Sequence, residues 1–350
     1  MDQFQGRTAV VTGAASGIGR ALSLRCADEG MSVVLADVDE AGLDETRQLC
    51  VDRGARSIAV PTDVSKLEAV QALADAARGE FEQIHLVFNN AGVMVGGCAW
   101  ERSAADWEWV LGVNLFGCIH GARVFLPILI EQGEPAHMVN TASVGGLLTG
   151  PFLASYIVSK HAVVALCEVL YHELAAMQVE VGLSCLCPGS VATGIVASER
   201  IRPADKGAAT PLASEAERTF VQGVEKGIGA GMSPEELARH AFDGVREGRF
   251  WIFPAPMYKQ GFEARAVDEE VGALRDLHDV GVLRNGPEGQ AFRAVPPVDR
   301  ILGAQTRPDV MRVAPLRVTV GMDDVEIFRR RRRVRFSCHG SLLRASPERL

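Results

Sequence analysis

No stretch of this 350-residue chain runs for the ~18 to 20 charge-free apolar residues that a membrane crossing needs, so a spanning segment is not expected. Met1-Asp2-Gln3-Phe4-Gln5-Gly6 lacks the basic and then apolar pattern of a secretory leader, which points to a cytoplasmic protein. Cysteine is sparse and scattered: of eight, only Cys185 and Cys187 lie close together. Residues two apart on a strand share a face, yet a second pair at zinc-site spacing is missing. No metal centre is expected, and the thiols should be reduced and mostly buried. Internal repeats are absent as well, which excludes an array of stacked units. What remains is 47% apolar and 23% charged, the composition of an ordinary globule with length for one large α/β domain and an appendage.

Apolar runs of strand length alternate with segments of helical spacing. Residues 8–12, 32–36, 56–60, 86–88, 137–141, 181–187 and 250–253 read as strands. Residues 41–52, 66–78, 106–130 and 152–177 read as helices, and Pro127 is expected to kink the third or mark its last turns. This alternation belongs to an α/β protein with a doubly wound parallel sheet of about seven strands flanked by helices.

The first strand runs into Gly13-Ala14-Ala15-Ser16-Gly17-Ile18-Gly19, after which Ala21, Leu22 and Leu24 resume at helical spacing. Glycine removes the Cβ that would block a phosphate. The open N–H groups at the helix start, with the positive end of its dipole, suit the pyrophosphate of a dinucleotide. A tight strand-to-helix connection would use the same glycines, but the second strand also ends at Asp37, about twenty residues on. A carboxylate there can take both hydroxyls of an adenosine ribose and would repel a 2′-phosphate. NAD is therefore expected over NADP, for which Ser16, Asp37 and Val38 offer no basic partner. Arg20, just after the turn, is the nearby cation that tells against this.

Tyr156 and Lys160 are four residues apart, on one face of any helix they share, and Ser143 lies thirteen residues upstream of the tyrosine. A neighbouring ammonium favours phenolate, so a tyrosine with an unperturbed pKa of about 10 becomes usable as a general acid or base near neutral pH. Such a pair also occurs as a packed ring beside a solvated amine. The glycine turn before it, and the motifs Asp63-Val64, Asn89-Asn90-Ala91-Gly92, Asn114 and Pro188-Gly189 followed by Thr193, change its weight. In this order and spacing, over residues 4–257, the chain resembles the short-chain dehydrogenase/reductase (SDR) family, whose fold is Rossmann-type.

The resemblance implies an NAD(P)-dependent oxidoreductase that interconverts a secondary alcohol and a ketone. Tyr156 would be the general acid/base, Ser143 would hydrogen-bond the reacting oxygen, and Lys160 would also bind the nicotinamide ribose. Asn114 would organise a proton-relay water. Gly13, Ser16, Gly17, Ile18 and Gly19 would hold the pyrophosphate, Asp37 the ribose, and Asp63 with Val64 the adenine. Asn90, Ala91 and Gly92 would form the cofactor floor, with Asn90 as able to brace the sheet as to touch the cofactor. Pro188, Gly189, Val191 and Thr193 would wrap the nicotinamide end. Family members often form tetramers through the helices that here contain Asn114 and Tyr156, so a homo-oligomer is expected.

Residues 93–98, 144–152 and 195 onward are rich in Val, Leu, Gly and Phe, which suits an apolar, alicyclic or steroid-like substrate. Residues 198–228, with Pro203, Gly207, Pro211 and Gly227, are expected to form a mobile lid. The catalytic domain is taken as residues 1–283. Residues 284–350 differ in kind: 14 arginines, no lysine and 7 acids give +7, against −15 for the rest. The block Arg329 to Arg333 could contact nucleic acid or an anionic surface, but a poorly ordered extension, or one folded over the acidic domain, is the preferred reading. A catalytically silent NAD-binding regulator is the other alternative, and the intact Ser143, Tyr156 and Lys160 oppose it.

Overall fold

The computed structural model describes Met1, residues 3–255 and the backbone of three short strands beyond them. The chain divides into two compact units, Met1–Gly286 and Pro287–Leu350. In the second, β8 (Arg317–Val320), β9 (Val325–Arg329) and β10 (Arg332–Phe336) pair antiparallel in the order β10-β9-β8. The side chains of the Arg-rich block, and the expected disorder of most of the tail, lie outside the described residues.

The first unit is built on seven parallel strands in the order β3-β2-β1-β4-β5-β6-β7. They are β1 (Thr8–Thr12), β2 (Ser32–Asp37), β3 (Ser57–Pro61), β4 (Leu86–Asn89), β5 (Ala136–Thr141), β6 (Val181–Leu186) and β7 (Trp251–Ile252). Helices cover both faces: α1 (Gly17–Asp28), α2 (Glu40–Val51), α3 (Leu67–Phe81), α4 (Ala104–Leu111), α5 (Gly117–Gln132), α6 (Ala154–Ala176), α7 (Glu215–Gly229) and α8 (Pro234–Arg246). Covered this way, β1, β4 and β5 are buried at every position, as the central strands of a parallel sheet covered on both faces should be. One core, with Phe125, Leu129 and Met138, fills one face; the other holds Leu22, Phe88 and Phe242.

The expected single helix over 106–130 is three pieces. Between α4 and α5 the backbone widens into a π turn, Gly112–Phe116, with Asn114 at its centre, while Pro127 sits inside a continuing α5. The deviation thus falls at the polar residue with tertiary partners and not at the proline, as π turns at functional sites commonly do. Residues 104–132 and α6 are long and apolar enough to cross a membrane by composition. In this fold both helices contribute to the core against the sheet.

Candidate active site

The order reverses beside β1, where β2 runs off to one side and β4 to the other, and a crevice opens at the carboxyl ends of these strands. The glycine turn lies at that point. Gly13 has φ +69° and Gly17 φ +51°, values that a side-chain-bearing residue rarely adopts. A Cβ on Gly19 would stand 1.9 Å from the Gly13 carbonyl oxygen, so the turn closes only with hydrogen there. Ser16 precedes α1 without using its side chain as a cap, and the first turn of α1 has no acidic residue. Its N–H donors are left for an anion, which is the fit expected of a dinucleotide pyrophosphate. A cleft of about 480 Å³ runs beside it, lined in part by Gly17, Arg20, Thr193 and Gly194.

Asp37 ends β2 and already accepts from Ala15 N (2.9 Å) and Asp39 N (3.1 Å), so its carboxylate is oriented beside the turn. Arg20 is occupied by other partners: the guanidinium donates to Thr46 Oγ1, Ala15 O and Glu45. Asp63 Oδ1 accepts from Ser65 N and Oγ at 2.9 and 2.7 Å, which makes a turn of it. Val64 is buried, and its carbonyl lies 3.0 Å from His120 Nδ1.

Asn90 turns out to brace the sheet. Its Nδ2 donates to Thr12 O (3.0 Å), its Oδ1 accepts from Thr141 Oγ1 (3.3 Å), and Thr12 Oγ1 accepts from the backbone of both Asn90 and Ala91. Thr12 thus pins the turn after β4 to the end of β1, a role visible in sequence only as the residue opening the glycine motif. Gly92 is close to two groups at once, since a Cβ there would lie 3.5 Å from Asn114 Oδ1 and 3.6 Å from Lys160 Nζ.

Asn114 is fully buried and fully employed. Val93 N donates to its Oδ1 (2.8 Å), and its Nδ2 donates to Val93 O and Ser159 Oγ, each at 3.0 Å. Ser159 Oγ in turn donates to the Tyr156 carbonyl at 2.6 Å, tying the π turn to α6. Sequence reasoning missed Ser159, a small hydroxyl inside the Tyr156–Lys160 motif whose partner lies 45 residues away. Lys160, 3% exposed, donates to Thr141 O at 2.8 Å, with Nζ 5.7 Å from the Tyr156 ring centroid. A buried ammonium with one carbonyl partner has two donors left for other groups. Ser143 Oγ accepts from Gly145 N (3.0 Å) and lies 3.4 Å from Pro188 O. Gly145 separates serine and tyrosine: a Cβ on it would be 3.4 Å from Tyr156 Cε1 and 3.5 Å from Ser143 Oγ. Pro188 and Gly189 follow β6 after Cys187, Val191 is buried in a bridge to Met232, and the Thr193 methyl lies against Gly17. The described cysteines are unpaired and all but Cys98 are buried, with Cys185 and Cys187 sulfurs 3.8 Å apart.

Residues 194–229 are more firmly fastened than their Pro and Gly content suggests. Ser198 Oγ accepts from Met94 N (3.1 Å), and Arg102 donates to Thr210 O and Pro211 O. Arg202 stacks 4.5 Å above the Trp109 ring and donates to Asp106 at 2.6 Å. Burial pushes the Asp106 carboxyl up, but hydrogen bonds from Thr210, Arg202 and Ser103 outweigh it and hold it below the ordinary aspartate range. Glu217 accepts from Cys98 N and Ser214 N, both at 2.7 Å, and these backbone donors take its carboxyl down to about 2. Cys98, Glu101 and Glu217 are close enough to suggest a cation site, but Arg102 lies 4.0 Å from Glu217 and those backbone donors already use its oxygens.

A doubly wound sheet, a glycine cradle at its switch point and a Ser-Tyr-Lys cluster beside it define a dinucleotide-dependent oxidoreductase. Residues 7–203 match the sequence profile of the short chain dehydrogenases. A short-chain dehydrogenase/reductase from Burkholderia phymatum, solved in complex with NAD, is 43% identical, covers 83% of this chain and 100% of its own, and superposes with a TM-score of 0.74. The 1-deoxy-11-beta-hydroxypentalenate dehydrogenase of Streptomyces exfoliatus is 42% identical over 71% of this chain and 83% of its own length. A CLA biosynthesis dehydrogenase/reductase of Lactiplantibacillus plantarum is 32% identical over 79% of this chain and 98% of its own. The chain belongs to the short-chain dehydrogenase/reductase family.

Proposed function

We propose that this protein interconverts a secondary alcohol and a ketone with NAD as its dinucleotide, on an apolar substrate of alicyclic or steroid-like shape. The observation that carries the reading is the convergence of Ser143, Tyr156 and Lys160 at the carboxyl end of the sheet, with the bare Gly145 backbone between serine and tyrosine, where a Cβ would touch both. A bound nicotinamide supplies or accepts hydride; this chain's residues handle the proton and the charge. Tyr156 gives its hydroxyl proton to the oxygen of the reacting carbonyl and takes it back in alcohol oxidation. Ser143 hydrogen-bonds the same oxygen and holds the carbon in place, an orienting and an electrostatic effect together. Lys160 places its charge beside Tyr156 and has donors for the nicotinamide ribose. Asn114 holds Val93 and the start of α6 in register, beside the position of a relay water.

Asp37 supports NAD over NADP, because its carboxylate stands beside the ribose end of the glycine turn and Arg20 is engaged with Glu45. Val93, Val95 and the Val144–Gly146 turn supply small and apolar walls. A relative named for a hydroxypentalenate is consistent with an alicyclic substrate. Phe116, Val158, Val169 and Tyr171 of the π turn and α6 are about half exposed, which supports pairing of copies through these helices. A cytoplasmic enzyme with its tail as a separate extension completes the proposal.

The test is NAD-coupled screening of purified protein over alcohols and ketones, repeated with NADP. Turnover of apolar secondary alcohols with NAD preferred is expected. Tyr156→Phe should abolish turnover and leave NAD binding intact; retained turnover would remove the tyrosine from its role, and NADP used as efficiently as NAD would remove Asp37 from its own.

A further inference from the structure

We infer that Arg200 is a phosphate clamp of the dinucleotide site, carried on a strap that joins this site to the substrate side. The inference rests on the dinucleotide reading above. The strap is the short 3-10 turn Ile195–Ile201 with Arg202 after it. Ser198 and Arg202 are buried and fasten it to Met94 on one side and to Asp106 and Trp109 on the other. Arg200, between them, is exposed and reaches the opposite way, placing Nη2 3.4 Å from Ser16 Oγ. Ser16 opens α1, and the N–H of Ala15 before it donates to Asp37. Arg200 therefore stands at the mouth of the glycine turn, on its ribose-facing end.

Charge pairing singles this residue out. Arg20 is matched by Glu45, and Arg202 by Asp106 and Glu199. Among the described residues Arg200 has no carboxylate partner, and no acid occupies the first turn of α1. A single long hydrogen bond to a serine leaves the guanidinium fork free to turn onto a phosphate, which it can grip through two N–H groups. The diphosphate common to NAD and NADP is the anion at this helix start, and Asp37 disfavours a 2′-phosphate beside it. Because both neighbours of Arg200 on the strap are tied to the substrate side, gripping the diphosphate also firms the substrate wall before substrate arrives.

The experiment is calorimetric titration of the full chain, wild type, Arg200→Gln and Arg200→Lys, with ADP-ribose, NAD, NADP and adenosine at low and moderate salt. Arg200→Gln is expected to weaken ADP-ribose and NAD about tenfold, which corresponds to one charge-assisted contact. Its salt dependence should be shallower, lysine should restore part of the loss, and adenosine should bind unchanged. Hydrogen exchange over 195–202 should slow on adding ADP-ribose to the wild type and much less so in Arg200→Gln. A loss confined to NADP overturns the diphosphate clamp, because ADP-ribose and NAD carry the same diphosphate. Equal affinities in all three proteins overturn it, as does an equal loss for adenosine, which has no phosphate to grip. Wild type that binds no ADP-ribose removes the dinucleotide reading itself, an outcome distinct from a variant that binds as well as wild type.

Discussion

Asn114→Ala strips the π turn of its one polar anchor, and the cost can be worked from its partners. The amide accepts from Val93 N at 2.8 Å and donates to Val93 O at 3.0 Å, in a place with no access to solvent. Removing it leaves a buried donor and a buried acceptor of Val93 unpaired, at about 1–3 kcal/mol each. Ser159 retains its bond to the Tyr156 carbonyl and contributes little to the loss. A total near 4 kcal/mol, with urea slopes of a few kcal/mol per molar for a domain this size, moves the unfolding midpoint down by about 1 M or more. Asn114→Asp keeps the acceptor but sets a carboxylate oxygen against the Val93 carbonyl, so it should cost no less. Since Asn114 and Lys160 flank the same Gly92, the survivors should also lose turnover, by about a hundredfold if the lysine shifts by an ångström. The assay is urea unfolding by circular dichroism, paired with turnover at saturating NAD. A midpoint within about 0.2 M of wild type would refute the accounting.

The other expectations follow the same logic. Gly19→Ala puts a methyl against the Gly13 carbonyl oxygen and 2.8 Å from Asn90 Nδ2; backbone cannot yield there, so stability should fall by about 3 kcal/mol and ADP-ribose binding with it. Wild-type thermal unfolding in that variant would contradict the tight closure. Glu217 is ionised in the fold down to about 2, below the ordinary glutamate value of about 4.3. A depressed carboxyl stabilises above the unfolded value, and its contribution drains away as pH falls from about 4.3 toward 2. Glu217→Gln should thus be less stable than wild type at pH 6, with the gap narrowed but not closed at pH 3 in urea titrations; a gap constant with pH would disprove the assignment.

Local chemistry explains which parts of this molecule could be read in advance. Strands β1 to β6 each hold a short apolar stretch, so their ends were legible to within a residue or two, and the glycine turn and the Tyr156–Lys160 spacing are short-range patterns. The π turn was not legible, because its cause is a bond from Asn114 to Val93, and Pro127 is the louder signal. The contacts that anchor residues 198–228 were not legible for the same reason. The Pro and Gly residues of this segment can be read one by one along the chain, while the pairs that fasten it, Arg102 with Thr210, Asp106 with Arg202 and Cys98 with Glu217, join segments remote from one another. Arg20 was the visible cation near the cofactor and is neutralised by Glu45; Arg200, remote in sequence from Ser16, is the one the fold delivers.

The strand order also sets a timetable for the chain as it leaves the ribosome. The β1, β2 and β3 pairings, with the glycine turn and Asp37, need only the first sixty-one residues, so the dinucleotide half has its contacts early. Tyr156 and Lys160 emerge soon after β5, but the wall formed by Pro188 awaits β6, and β7 pairs only when Trp251 appears. Parallel pairings of such sequence separation are slow to close and leave strand edges exposed meanwhile. In a nascent chain stalled before β6, the edge of β5 is bare, and chaperone capture should peak at that length.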